Sequence, residues 1–143
     1  MKKKKKISSF GKKMKEMNGT SKLEVKFSQL LDELNIKYIT HYIFKDREYD
    51  FFLLEHNILV ETHGCFFHCC KEDGFKPEYA FQRKNIKNDQ YKSKIVKFDK
   101  DYNLLIVWEH EMKDKKVLTE KINNFVGKYS KKLLIEKSSK YQD

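Results

Sequence analysis

The sequence predicts an α/β domain of α+β type: a mixed four-stranded sheet flanked by helices. Three observations carry that expectation. A capped amphipathic stretch comes first, β-branched and aromatic runs follow between polar turns, and a strand, helix, strand order comes after them. The chain has 143 residues, which suits a single core.

Asn18-Gly19 is a turn signal, and Ser21-Lys22-Leu23-Glu24 has the capping-box spacing. In that box the serine hydroxyl and the glutamate carboxylate each satisfy an N–H at the start of a helix. Leu23, Phe27, Leu30, Leu31 and Leu34 recur at helical spacing, so a helix is expected from about Lys22 to Leu34. Lys37 to Ile43 reads as a strand, Lys45-Asp46-Arg47-Glu48 as a turn, and Tyr49 to Leu54 as a second strand. Glu55-His56-Asn57 turns again into a third, Ile58 to Thr62, completing an antiparallel meander. The third strand is short and apolar, which places it centrally in the sheet, and Gly64 is expected to end it with a sharp bend.

Lys71 to Lys84 is a polar and aromatic loop holding the sole proline, Pro77. A helix is expected from about Asn85 to Lys100, with Tyr91, Ile95 and Phe98 on one face. Leu104 to Trp108 is a fourth, buried strand, and its place after a helix implies a crossover and a parallel pair. Leu118, Ile122, Phe125 and Tyr129 mark a last amphipathic helix.

The formal net charge is +10, and its distribution is uneven. Residues 1–16 carry +7 and residues 128–143 carry +3, while the remaining 111 residues balance 18 basic against 18 acidic side chains. The chain therefore divides into a basic flexible arm (1–17), a domain of almost balanced charge (18–129, which adds Lys128) and a basic C-terminal tail (130–143). Lysine-rich tails neutralise phosphates without reading sequence. A solubilising tail fits the charge equally well. No stretch has the length of a membrane span, and no apolar core follows the basic N-terminus. A cytoplasmic protein is the expectation, with its three cysteines as thiols open to metal instead of a disulfide framework.

The chemistry concentrates in Glu61-Thr62-His63-Gly64-Cys65-Phe66-Phe67-His68-Cys69-Cys70, where two histidines and all three cysteines fall within ten residues. Just upstream, Asp50 sits among Tyr49, Phe51 and Phe52. An unpaired charge is costly in an apolar strand, and a metal ion would offset that cost. Strand alternation sets Asp50 on the face opposite Tyr49 and Phe51. Glu61 lies on the neighbouring strand, and two strands each offering a carboxylate suit magnesium, which prefers oxygen ligands. Both acids also read as solvent-facing strand residues. His63 shares a face with Glu61, and His68 lies just past the strand end. Beside the acids, the pair suggests proton transfer or leaving-group stabilisation. Asn85 and Asp89 share a helix face, for which capping and a surface acid are the plain reading. Cys65, Cys69 and Cys70, with His110, offer a sulfur and nitrogen set for zinc, and buried free thiols fit the spacing equally.

These residues together resemble the very-short-patch repair (Vsr) endonucleases, DNA mismatch-nicking enzymes with a restriction-endonuclease-like core of the PD-(D/E)XK superfamily. Thr62-His63-Gly64-Cys65-Phe66-Phe67-His68 resembles the family string Thr-His-Gly-Cys-Phe-Trp-His. Lys84-Asn85, then Asp89, and the strand Leu104-Leu105-Ile106-Val107-Trp108-Glu109 resemble its Lys-Asn-x3-Asp helix and Val-Leu-Ile-Val-Trp-Glu strand. The likeness runs in order from about Met14 to Met112. It implies that Asp50 and the Thr62 carbonyl bind catalytic Mg2+, and that His68 is the general base. Glu24, His63 and Asp89 would orient water and support the site, and the product would be a nick with a 5′-phosphate and 3′-hydroxyl. Phe66 and Phe67 would wedge into the base stack beside a mismatch. Lys84 and Asn85 fall on the DNA-facing helix. Cys65, Cys70 and His110 fall at or beside the structural Zn2+ ligands.

The departures are specific. Tyr49 replaces the motif proline, Phe67 the tryptophan and His110 a cysteine. The loop from Lys71 to Lys84 is short, leaving Cys69 or Glu72 for the fourth zinc position and Tyr79 or Phe81 for a third wedging aromatic. Glu61 adds a Glu-x-His pair after Asp50, resembling the Asp…Glu-x-Lys pattern of restriction-type nucleases with histidine for lysine. The expectation is a monomeric, Mg2+-dependent endonuclease acting on double-stranded DNA, with no membrane partner, in mismatch repair or phage-type homing. Two competing readings are a zinc-stabilised DNA-binding module without cleavage and an RNA-directed nuclease.

Overall fold

The first helix starts where its capping box places it. In the computed structural model, which describes residues 21–140 and side chains as far as Tyr129, α1 spans Lys22–Glu33. The Ser21 hydroxyl accepts from the Glu24 amide at 3.1 Å, and Glu24 Oε1 accepts from the Ser21 amide at 3.1 Å. Asn35, at φ 60°, turns the chain out of the helix. The arm expected over residues 1–17 lies outside the described residues, as do the side chains of 130–143.

Three strands follow as a meander: β1 (Tyr38–Phe44), β2 (Arg47–Leu53) and β3 (Ile58–His63). The first hairpin is tighter than the four-residue turn expected. Only Lys45-Asp46 joins the strands, with Lys45 at φ 57°. After α2 (Ala80–Lys97), β4 (Asn103–Trp108) joins the sheet parallel to β3, giving the order β1-β2-β3-β4. The mixed sheet and the interior place of β3 are as the sequence predicts. A 3-10 turn (Glu109–Lys113) leads into α3 (Lys115–Lys140), which continues as helix into the segment read as a tail.

The sheet has a helical layer on each side. On one, Phe51, Leu53, Ile58, Val60, Leu105 and Val107 pack with Phe27, Leu30 and Leu31 of α1 and with Leu118 and Ile122 of α3. On the other, Tyr49, Phe52 and Leu59 pack with Phe44 and with Val96 of α2. Tyr49 and Phe51 thus belong to opposite faces, against the simple alternation expected. The reason is a break in the ladder at Asp50. His41, its partner by register, sits at φ 50°, and the regular pairing of β2 with β3 begins only at Phe51. Such an irregularity re-aims a side chain and switches the face of those before it.

α2 begins and ends earlier than expected, and it turns a different face inward. Gln82, Lys92 and Val96 are buried, whereas Phe98 is 75% exposed and Tyr91 is exposed. Polar contacts settle that register: the Tyr49 hydroxyl donates to the Lys92 carbonyl at 2.8 Å, and the Lys92 ammonium meets Glu61. Gly64 is not in the left-handed region. A Cβ there would lie 3.4 Å from the Phe67 ring, which is ordinary van der Waals contact, so neither φ nor space demands a glycine. No helix among the described residues is long and apolar enough to cross a membrane.

Candidate active site and metal centre

Asp50 projects from the break in β2 towards the end of β3. Its Oδ2 accepts from the Thr62 amide at 2.8 Å and from the Thr62 hydroxyl at 2.9 Å. Glu61 is 6% exposed, so the solvent-facing reading of this acid is corrected. Its side chain lies on the α2 side, where Oε2 accepts from the Asp50 amide at 3.0 Å and Oε1 meets the Lys92 ammonium. Glu24 comes from α1 and interacts with the Asp50 carboxyl. Burial and then the charge of Asp50 push Glu24 up to about 7. The same two causes raise Glu61, and Lys92 opposes them. Carboxyls from two neighbouring elements, α1 and β3, therefore each interact with Asp50 at the break in β2.

His63 sits close enough to Asp50 to feel its charge, and His68 lies against His63. His63 and His68 stack with ring centroids 4.1 Å apart and planes 5° from parallel, and Trp108 meets His63 edge-on. His68 Nδ1 lies 2.6 Å from Asp89 Oδ2. A carboxylate only accepts, so Nδ1 carries the proton, and in the neutral ring the lone pair falls on Nε2. His63 Nε2 is 3.6 Å from Asp89 Oδ1, and both its ring nitrogens are buried without a hydrogen-bond partner among the described residues. Burial, then the neighbouring His68, lowers His63 to about 4, which keeps it neutral. The surface-acid reading of Asp89 does not hold, because α2 turns it inward onto both rings.

A second cluster lies behind the loop. A turn closed by Cys70 N–H to the Cys65 carbonyl (2.9 Å) returns Cys70 to Cys65. Both sulfurs lie 3.4 Å from His110 Nδ1. Asp73 joins them, and the ligand atoms of the four residues lie within 4.8 Å of one another. Cys69, at φ 54°, lies outside this group. Glu72 is 3.0 Å from His110 Nε2, the opposite ring nitrogen. It orients the imidazole and leaves the fourth position to Asp73. Burial, above all, pushes the Cys65 thiol up to about 12.

Between the two clusters the loop exposes aromatics. Phe66, Phe67, Phe75, Tyr79 and Phe81 form one contiguous group with neighbouring centroids 5.4 to 6.0 Å apart. Phe75 is the member that sequence reasoning missed. The start of α2 clamps this loop: Gln82 Nε2 donates to the Phe66 carbonyl at 2.8 Å and Asn85 Nδ2 to the Phe67 carbonyl at 3.0 Å. Asn85 is thus a bracket for the aromatics, and Lys84 beside it is exposed. Gln82 and Lys92 went unread because neither stands in a motif.

A cleft of about 680 Å³ opens against the histidines, walled by Ile86, Ile106 and Trp108 and rimmed by Lys71, Lys94 and Lys97. No family model matches this chain, and no curated protein does. The fold is similar to that of a solved structure, the catalytic domain of the homing endonuclease I-Bth0305I, with a TM-score of 0.59 and 22% identity. The likeness covers 77% of this chain and 98% of that one. At this identity it establishes a shared fold, with the mixed four-stranded sheet and its flanking helices.

Proposed function

We propose that this chain is a metal-dependent DNA endonuclease of the Vsr-like kind. The observation that carries the reading is Asp50, bonded to Thr62 and interacting with Glu24, close to His63, on which the Asp89-bound His68 stacks. Asp50 and Glu24, with the Thr62 carbonyl that the resemblance implies, form an all-oxygen donor set that fits a hard divalent cation such as Mg2+. When bound, such a cation polarises the phosphodiester and stabilises its developing charge. His68 Nε2 takes the proton from the attacking water, and Asp89 holds the Nδ1–H so that the free lone pair is on the right nitrogen. His63, neutral and stacked on His68, fixes the plane of that ring. The water oxygen bonds to phosphorus, the P–O3′ bond breaks, and the departing 3′-oxygen takes a proton from solvent, leaving a 3′-hydroxyl and a 5′-phosphate.

Duplex DNA is the substrate best suited to this surface. Five exposed aromatics on the loop between β3 and α2 and in the first turn of α2 match the stacking and wedging that splay bases, and lysines lining the cleft suit the phosphate backbone. Cys65, Cys70, Asp73 and His110 would hold structural Zn2+: two thiolates, an imidazole and a carboxylate at mutual distances that tetrahedral coordination accepts. Both mismatch nicking and site-specific homing cleavage fit the catalytic residues.

The test is cleavage of supercoiled plasmid and of mismatch-bearing duplexes, with Mg2+ or chelator. Wild type is expected to cut only with metal, and Asp50→Ala to lose about a thousandfold or more of the rate while staying folded. A protein that binds these DNAs but never cuts them is a zinc-stabilised binding module instead. For zinc, metal analysis should find close to one ion in wild type and none in Cys65→Ser, with a matching loss of thermal stability. Metal-free protein that folds as well as wild type would exclude that site.

A further inference from the structure

Lys92 belongs to no motif, yet it is 8% exposed and its ammonium faces Glu61 Oε1 instead of water. The other oxygen of Glu61 accepts the Asp50 N–H at 3.0 Å. The Lys92 carbonyl accepts the Tyr49 hydroxyl at 2.8 Å, and its Nζ lies 4.7 Å from the centre of the Tyr49 ring. One helical residue thus joins β2 and β3 at the Asp50 break. It lies one turn beyond Asp89, so the same anchor sets Asp89 against His68.

Charge balance gives Lys92 a more specific task. Asp50 interacts with Glu24 through its carboxyl and with Glu61 through its amide and charge, and a cation held by Asp50 and Glu24 leaves Glu61 without compensation. A buried carboxylate with no counter-charge is strongly unfavourable. Both oxygens of Glu61 are already engaged inside the protein, one by an amide and one by an ammonium. We propose that Lys92 is the fixed internal counter-cation of this site. It takes the place beside Glu61 that a second divalent ion would occupy. The site then binds one divalent ion, and Glu61 is a positioning residue for Asp50 and not a ligand. This inference rests on the endonuclease reading.

Mn2+ binding to the full chain, followed by calorimetry and electron paramagnetic resonance with Asp50→Ala as background, tests it alongside plasmid cleavage. Wild type should bind one Asp50-dependent ion. Lys92→Met should bind a second ion, or bind the first about tenfold tighter or more, because an uncompensated carboxylate is exposed to the site. Its cleavage should fall. The double variant Glu61→Gln/Lys92→Met removes both charges and should return to one ion at wild-type affinity, and it serves if the single variant does not fold. Unchanged stoichiometry and affinity in Lys92→Met would overturn the proposal, as would two Asp50-dependent ions in wild type. So would a double variant that still takes a second ion. Wild type that binds no Asp50-dependent ion and cuts nothing overturns the endonuclease reading and this inference together. Wild type that binds one ion and cuts, beside an unaltered Lys92→Met, removes this inference alone.

Discussion

On the α1 and α3 side of the sheet, the packing is almost wholly apolar: Phe27, Leu30, Leu31, Leu118 and Ile122 close over Phe51, Leu53, Ile58, Val60, Leu105 and Val107. The α2 side has a much smaller apolar cluster, and Glu61, His63, Gln82 and Lys92 are buried alongside it. Apolar burial is the main source of folding free energy, at about 25 cal/mol per Å². Buried charges contribute little net stability and are sensitive to the loss of either partner. One side of the sheet therefore serves mainly stability, while the other gives up apolar contact to place titratable groups. α1 bridges the two roles, because its first turn delivers Glu24 to Asp50.

Three measurements sharpen or break this contrast. The largest effect is expected on the α2 side, where His68→Ala should lower the cleavage rate by about 10²–10⁴-fold with little change in melting temperature. A comparable loss of stability would mean that His68 is part of the core. On the apolar side, Ile122→Ala should cost about 2–5 kcal/mol in denaturant unfolding and leave the rate of the folded protein unchanged. A rate defect without a stability defect there would contradict the division.

The smallest effect is on pH dependence. In chelator, the folded state raises Glu24 from 4.5 to about 7, so its contribution favours the fold at low pH and is lost as pH rises through 7. His63 acts oppositely: it is lowered from 6.5 to about 4, so its contribution is present above 6.5 and is lost as pH falls towards 4. Melting curves of Glu24→Gln against wild type should show the variant gaining in relative stability between pH 4.5 and 7. A difference that stays flat over that range would mean that Glu24 is not held against Asp50.

Much of the backbone was legible because its signals are local. Ser21 and Glu24 sit at capping-box spacing, and α1, β3 and β4 carry their burial in short periodic or continuous apolar runs. The α2 register was not legible, because Tyr91 and Phe98 make the more apolar stripe while Tyr49 and Glu61 select Lys92 for the inside. The face switch at Asp50 escaped for a similar reason: it depends on an irregularity in β1 at His41. Among the candidate zinc ligands, Cys65, Cys70 and His110 were readable, but Asp73 took the place of Cys69 and Glu72 only once the loop closed on itself.

The sequence by itself determined the order of elements, the sheet with its flanking helices, and the candidate site residues from Glu24 through His110. Those follow from periodicity, capping and residue type, which act over a few positions. Tertiary structure decided how they are paired. His68 meets Asp89 across 21 residues, Glu61 meets Lys92 across 31, and Cys65 meets His110 across 45. Partners that distant are chosen by which helix face the sheet accepts and by where buried charge finds compensation. That choice turned Glu61, an ambiguous strand acid, into the link between Asp50 and Lys92.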